Sequence, residues 1–340
     1  MSLQNCKVIG DGVSNEIYRK QADGVKRGDP RFIMGRGEIV DFALNPWKWL
    51  RKEDDDSTAA TDYGSLMDCL LTRPSEFDDV FAIMPETYVN SKREVKEWTM
   101  RAKSCKEWVA DKRAQGMMPI HSSVLEKAKL AVDVVRSNQD VMEILRISQK
   151  QVFVTGEWRD DKTGLIIPLR ALIDILPPAD HMLYGKWMLD FKTARNGDPQ
   201  KWARVCDDEG YDVQAALYMD LYMMAKKEER LDWVHIVQEN THPYHLITPL
   251  PEMTSEFIEW GRKKYQLALA YYCQCLAANE WPSYQPTSRA SGKIQFIDPG
   301  SLFHYRQTIG SGNPALEFMP AALDEPEEKK DEPERIDNDV

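Results

Sequence analysis

The segment WMLDFKT, residues 187–193, sets Asp190 and Lys192 two positions apart in an otherwise apolar run. Side chains of an extended chain alternate between faces, so the acid and the base point the same way, opposite Trp187, Leu189 and Phe191. The strand therefore reads as buried on one face only. In the preceding run LIIPLRALIDIL (165–176), Leu165, Ile167, Leu169, Ala171, Ile173 and Ile175 share a wholly apolar face, and Arg170 and Asp174 interrupt the other. A third run, QVFVTGEW (151–158), carries Gln151, Phe153, Thr155 and Glu157 on one face. Three neighbouring strands can thus place Glu157, Asp174, Asp190 and Lys192 on one side of one sheet. Downstream, Gln214 and Tyr218 lie four apart and share a helix face.

This grouping suits metal-assisted phosphodiester hydrolysis. Mg²⁺ prefers hard oxygen ligands from one or two carboxylates, keeping waters and taking substrate phosphate. Asp174 and Asp190 supply two carboxylates, and the Phe191 carbonyl is a further candidate ligand. An amine beside them can orient or deprotonate a water. The bland alternative is structural, with Asp190 paired to Lys192 and Asp174 to Arg170, because a buried charge is costly unless paired.

The elements that must position these groups follow from pattern. Residues 65–71 read as a helix ended by Pro74. Residues 92–115 read as a charged amphipathic helix, and 122–147 as another, capped by Ser122 or Ser123. Strands are expected at 151–158, 165–176, 186–193, 231–239 and 244–250, with a hairpin turn over RDDKTG (159–164). Helices are expected at 211–228 and 252–280. Hairpin-linked strands followed by a helix and a returning strand imply an α/β fold, a mixed central sheet flanked by helices. The expected divisions are a mostly helical part over 1–120, the core over 121–320 and an acidic, disordered tail over 321–340.

The net charge is −11, of which nine acids and three bases in residues 321–340 contribute −6. That balance weighs against a broad basic coat for nucleic acid and fits a chain that meets DNA in a confined groove. Six scattered cysteines without CxxC spacing read as reduced thiols and argue against zinc or an iron–sulfur cluster. No long apolar run predicts a membrane span, and the first residues lack the pattern of a secretory signal, so a cytoplasmic location is expected.

ALIDIL, LDFKT and YDVQAALY together resemble the PD-(D/E)XK nuclease superfamily, and within it the lambda-exonuclease, YqaJ and RecE (exonuclease VIII) group. The resemblance covers roughly residues 35–280 and implies a restriction-endonuclease-like core. It assigns the second-strand acid to Asp174, the (D/E)xK motif to Asp190, Phe191 and Lys192, and the QxxxY motif to Gln214 and Tyr218. GSLMDCLLTRPSEF is similar to a RecE-type segment whose usual histidine is replaced by Asp68, another candidate metal ligand. Glu157 is the candidate first-strand acid, with Gln151 as the alternative for that slot. Arg170 falls where RecE-like sequences carry a basic residue and is a candidate phosphate contact. Arg195 is a candidate DNA contact, as are Lys92, Arg93, Arg101, Lys103, Lys201 and Arg204.

The resemblance further implies a Mg²⁺- or Mn²⁺-dependent 5′→3′ exonuclease that digests one strand of linear double-stranded DNA and leaves a 3′ overhang. It implies a homo-oligomeric ring, trimer or tetramer, working beside a single-strand annealing protein of the RecT or beta type in phage recombination. The competing readings are another PD-(D/E)XK deoxyribonuclease, endonuclease or end-trimming, and a non-catalytic DNA-binding phage protein.

Overall fold

The structure is a computed structural model that describes residues 2–53, 59–283, 290–291 and 294–295. In chain order the elements are β1 (Ser2–Gly10), α1 (Asn15–Arg19), α2 (Arg36–Leu44), α3 (Pro46–Leu50), α4 (Ala59–Thr72), α5 (Phe77–Val80), β2 (Phe81–Ile83), β3 (Thr87–Val89), β4 (Val95–Glu97), α6 (Lys103–Ala114), β5 (Met118–Ile120), α7 (Ser122–Ser137) and α8 (Gln139–Ile147). They continue with β6 (Gln149–Arg159), β7 (Ile166–Leu176), β8 (Trp187–Ala194), α9 (Pro199–Asp208), α10 (Tyr211–Lys226), β9 (Asp232–Glu239), β10 (Glu252–Met253) and α11 (Ser255–Ala278). These belong to one compact unit, residues 1–283. In the second unit, 284–340, the short strands β11 (Ala290–Ser291) and β12 (Ile294–Gln295) pair antiparallel. The expected disordered tail lies outside the described residues.

The sheet is six-stranded, in the order β1-β6-β7-β8-β9-β10. It is mixed: β8 and β9 run parallel, and the other neighbours run antiparallel. Helices cover both faces. One core gathers Ile167, Leu169, Ala171 and Ile173 of β7 with Val213, Leu217 and Leu221 of α10 and Leu269 and Tyr272 of α11. The other gathers Ile175, Leu189, Phe191 and Ile236 with Leu66 of α4 and the apolar stripe of α7 and α8. The apolar face read for β8 is a core face, but the one read for β7 is split: Ile167 to Ile173 pack on the α10 side, whereas Ile175 joins its partner Leu189 in the other core. The strand β8 is nevertheless buried on both sides, not one: Met188 and Asp190, on the second face, are 0% and 1% exposed. Period-two alternation shows which residues share a face but not that a helix lies over it. That helix is α10, and its approach to α11 is close. A Cβ on Gly261 would fall 2.0 Å from the Asp212 carbonyl, so only glycine fits.

The turn between β6 and β7 closes as its residues demand. Asp160 Oδ2 accepts from the Thr163 N–H at 2.9 Å and its hydroxyl at 2.8 Å, and Gly164 takes φ +74°. Other expectations are corrected. Residues 92–102 are not helical: Asn90 Oδ1 accepts from the N–H groups of Lys92 and Glu94 at 2.9 Å each, forming a turn between β3 and β4. The side chain outcompetes the helix by offering the backbone local bonds. The helix over 122–147 is two helices, because the Asn138 side chain accepts from Val141 N–H and starts α8. Neither Ser122 nor Ser123 caps α7; His121 is the cap residue, without a side-chain bond. Residues 244–250 form no strand, only a bridge between Leu246 and Gln238, since Pro243, Pro249 and Pro251 lack ladder donors. Several elements had no counterpart in the sequence reading, among them the short strands β2, β3, β5 and β10 and the helices α1 and α5. Nor had the edge strand β1, whose pairing with β6 shifts register at Gln4/Lys7 and Val8/Gly10, or α9, a short helix.

Candidate active site

The strands β7 and β8 pair at Ile175 and Leu189. Beyond that pair the Asp174 carboxylate takes the place of a ladder partner, its Oδ2 accepting the Phe191 N–H at 3.2 Å. A side chain wedged between two strands opens the sheet and leaves a pocket of about 840 Å³ at the opening. Asp68, Gln151, Asp174, Asp190, Phe191, Lys192, Arg195, Gln214 and Tyr218 all line it.

The strands β6, β7 and β8 and the helices α1, α4 and α10 contribute side chains here. Asp190 is 1% exposed and in ion-pair contact with Lys192 Nζ. From α10, Gln214 Nε2 donates to Asp190 Oδ1 at 2.7 Å. One turn on, the Tyr218 hydroxyl lies 3.4 Å from that of Tyr18, on α1. From α4, Asp68 accepts from Arg73 at 3.1 Å and from the Thr72 hydroxyl at 3.2 Å. Gln151 bridges the acids: its Nε2 lies 3.2 Å from Asp68 Oδ2 and 3.5 Å from Asp174 Oδ1. It does so from φ +49°, an uncommon value for a side chain of this type.

The charges are crowded. Burial, then Asp190 and Asp68, push the Asp174 carboxyl well above its ordinary range. Burial also raises Asp68 against the pull of Arg73. Burial would raise Asp190 too, but Lys192 and His235 outweigh it and hold it below the usual carboxylate range. Burial lowers Lys192, yet Asp190 more than restores it, and the amine stays charged. The site thus disfavours the charged form of Asp174 and favours that of Asp190.

A divalent cation would relieve this crowding, and the donors fit one. They are hard oxygens, and Asp174 keeps part of its surface open to the pocket. Among the described residues no three His, Cys, Asp or Glu side chains are grouped to hold a metal unaided. Two carboxylates plus a backbone carbonyl, water and substrate phosphate is the set Mg²⁺ accepts.

Not every candidate from the sequence reaches the pocket. Glu157 lies on the expected face but pairs with Pro168, six residues from Asp174 along β7, about 20 Å away at 3.3 Å per residue. There it accepts from the side chains of Gln4 and Asn5 on β1. Gln151 stands beside Asp174 instead. Arg170 does not pair with Asp174. It is buried, donates to the Tyr18 and Lys20 carbonyls at 2.9 and 3.5 Å, and lies over the Tyr18 ring. Arg195 is exposed on the pocket wall, which Lys201 also lines. Lys103 and Arg204 pair with Glu107 and Asp208 on their own helices.

The sequence reading missed Tyr18, Arg36, Trp202 and Tyr211, which complete the walls. It also missed His235, beside Asp190 in the parallel register of β8 and β9. Its ring nitrogens lie 3.1 and 3.4 Å from the indole nitrogens of Trp233 and Trp202, and burial holds its pKa down to about 4. A histidine inside the apolar strand WVHIV was the one signal for it.

The sequence matches the family described as PDDEXK-like domain of unknown function (DUF3799) over residues 45–298, three quarters of the chain. The chain belongs to that family. It is thereby a member of the PD-(D/E)XK nuclease superfamily, and its mixed sheet flanked by helices is the restriction-endonuclease-like fold. Among solved structures, a candidate exonuclease from Eubacterium rectale is similar in fold, with TM-score 0.50 and 14% identity over 89% of this chain and 100% of that one. The Rai1 protein of Scheffersomyces stipitis, in complex with (3′-NADP)+ and calcium ion, overlaps 71% of this chain and 65% of its own at 10% identity and TM-score 0.25, too little to carry an argument. No curated protein is a significant match. For this PDDEXK-like chain, no described helix is long and apolar enough to cross a membrane.

Proposed function

We propose that this protein is a Mg²⁺-dependent deoxyribonuclease, an exonuclease that digests linear double-stranded DNA 5′→3′ and leaves a 3′ single-stranded overhang for recombination by strand annealing. One observation carries the reading: Asp174, Asp190 and Lys192 converge at the opening between β7 and β8, with Gln214 bound to Asp190.

Asp174, Asp190 and the Phe191 carbonyl would hold the cation. When bound, Mg²⁺ (or Mn²⁺) supplies Lewis-acid charge neutralisation and acidifies water. Lys192 orients the attacking water, and its charge stabilises the developing phosphorane, a role suited to an amine held ionised by Asp190. Gln214 fixes the free rotation of the Asp190 carboxylate. Asp68 belongs to the pocket but is committed to Arg73, so in this reading it tunes the charge on Asp174 rather than leading coordination. Arg195, exposed on the wall, is suited to a phosphate of the bound strand. A homo-oligomeric ring of three or four chains would hold duplex DNA topologically, so that a chain of net charge −11 need not bind through a broad basic surface. A RecT- or beta-type annealing protein would receive the overhang.

The test is digestion of end-labelled linear duplex, nicked circle, covalently closed circle and single strand, with and without Mg²⁺. Release of mononucleotides from linear duplex alone, from the 5′ end, is expected. Rapid loss of closed circles would instead make the enzyme an endonuclease, and no hydrolysis of any substrate would remove the reading.

A further inference from the structure

The Lys192 amine has a second partner besides Asp190. Its Nζ stands 4.6 Å from the centroid of the Tyr211 ring, over the face. The Arg36 guanidinium lies over the same ring at 5.5 Å and is tethered to the Glu209 carbonyl at 3.1 Å. The ring is itself fixed, with centroids 5.8 Å from Trp202 and 5.8 Å from His235. Tyr211 opens α10 immediately after Gly210, which takes φ +65° and where a Cβ would fall 2.6 Å from Val40. The backbone that delivers the ring is thus held as tightly as the ring.

An aromatic face attracts a cation through its quadrupole. A lysine amine sits on four rotatable carbons, so one carboxylate sets its distance from that oxygen but not its direction. A carboxylate on one side and a ring face on the other leave it one place. We propose that Tyr211 is a positioning residue: its ring face holds the Lys192 amine against Asp190 and directs it into the pocket, with Arg36 kept alongside as a second cation. The consequence for turnover rests on the nuclease reading, whereas the Lys192–Tyr211 contact does not.

The experiment uses the full chain with Tyr211→Phe, Tyr211→Leu and a series in which position 211 carries phenylalanine with one, two or three ring fluorines. Fluorine withdraws density from the ring face without changing its shape. Tyr211→Phe keeps its turnover, and log kcat falls in proportion to fluorine number at unchanged Tm. Tyr211→Leu loses about tenfold in kcat with KM within about twofold. A packing role alone would not grade with fluorination. The second readout needs no activity. In protein labelled with ¹³Cε-lysine, the Lys192 Hε signal, identified by its loss in Lys192→Arg, lies upfield from the ring current and returns to the ordinary position in Tyr211→Leu. An unshifted Lys192 signal, or a flat fluorine series in an enzyme that cleaves DNA, overturns the inference. An upfield signal in a protein that cleaves nothing upholds the placement of Lys192 and removes the nuclease reading instead.

Discussion

Asp174 on β7 accepts the backbone N–H of Phe191 on β8 at 3.2 Å, so a carboxylate stands where an antiparallel ladder would place a carbonyl. This one substitution of side chain for backbone parts the strands and puts Asp174 within reach of the Asp190–Lys192 pair. Structure and chemistry compete at this point, and the first consequences to test follow from that.

Lys192→Gln and Asp190→Ala are expected to remove Mg²⁺-dependent hydrolysis of linear duplex. The lysine substitution should lower kcat by about 10²–10⁴, the usual worth of a positioned proton-transfer or charge-stabilising group. Circular dichroism checks that the fold survives. Turnover at the wild-type level in either variant would dismiss the site.

Asp174→Asn should make the metal-free protein more stable while abolishing turnover. The folded pKa of Asp174 is raised by burial and by Asp190 and Asp68. A raised pKa gives stability that is present in acid and is lost as pH rises toward the folded value, so away from acid the buried Asp174 carboxyl costs stability. Removing it should raise Tm, by about 2–4 °C for each kcal/mol gained in a domain of this size. Thermal unfolding in EDTA and in Mg²⁺ decides: the wild type gains from Mg²⁺, and Asp174→Asn gains less.

His235 gives the opposite sign. Its pKa falls from 6.5 to about 4 because burial excludes the charged ring. The unfolded chain therefore binds a proton between these values that the folded chain refuses, and stability is lost as pH falls from about 6.5 toward 4. The ceiling is roughly 3 kcal/mol. Urea midpoints of wild type and His235→Gln across that window measure it. Equal slopes for the two proteins would show that His235 is not the source.

Arg170 and Arg195 should separate cleanly. Arg170 braces the carbonyls of Tyr18 and Lys20, so Arg170→Ala is expected to lose about 1.5–3 kcal/mol of stability and leave the salt dependence of DNA binding unchanged. Arg195→Ala should leave Tm unchanged, raise KM and lower the salt slope by about one. A reduced slope in Arg170→Ala, with Tm unchanged, would return Arg170 to the DNA.

The sequence by itself determined which residues share a face over most of each element, failing at Ile175, which leaves the core of Ile167 to Ile173 for that of Leu189. Alternation along β7 and β8 put Asp174 opposite the apolar stripe and Asp190 with Lys192, and a spacing of four put Gln214 with Tyr218. The Asp160–Gly164 turn made β6 and β7 neighbours. These are local properties of a strand, a helix or a hairpin, so a single chain segment carries them. Position along a strand is different, because register comes from the partner. Glu157 has the right face and the wrong height, and Gln151 holds the place beside Asp174. Tertiary structure also decided that Arg170 serves α1, that α10 closes over the second face of β8, and that Tyr211, Trp202 and His235 surround Lys192 and Asp190. Those contacts join separate elements of the chain, and packing between whole elements, rather than any periodicity within one, sets them.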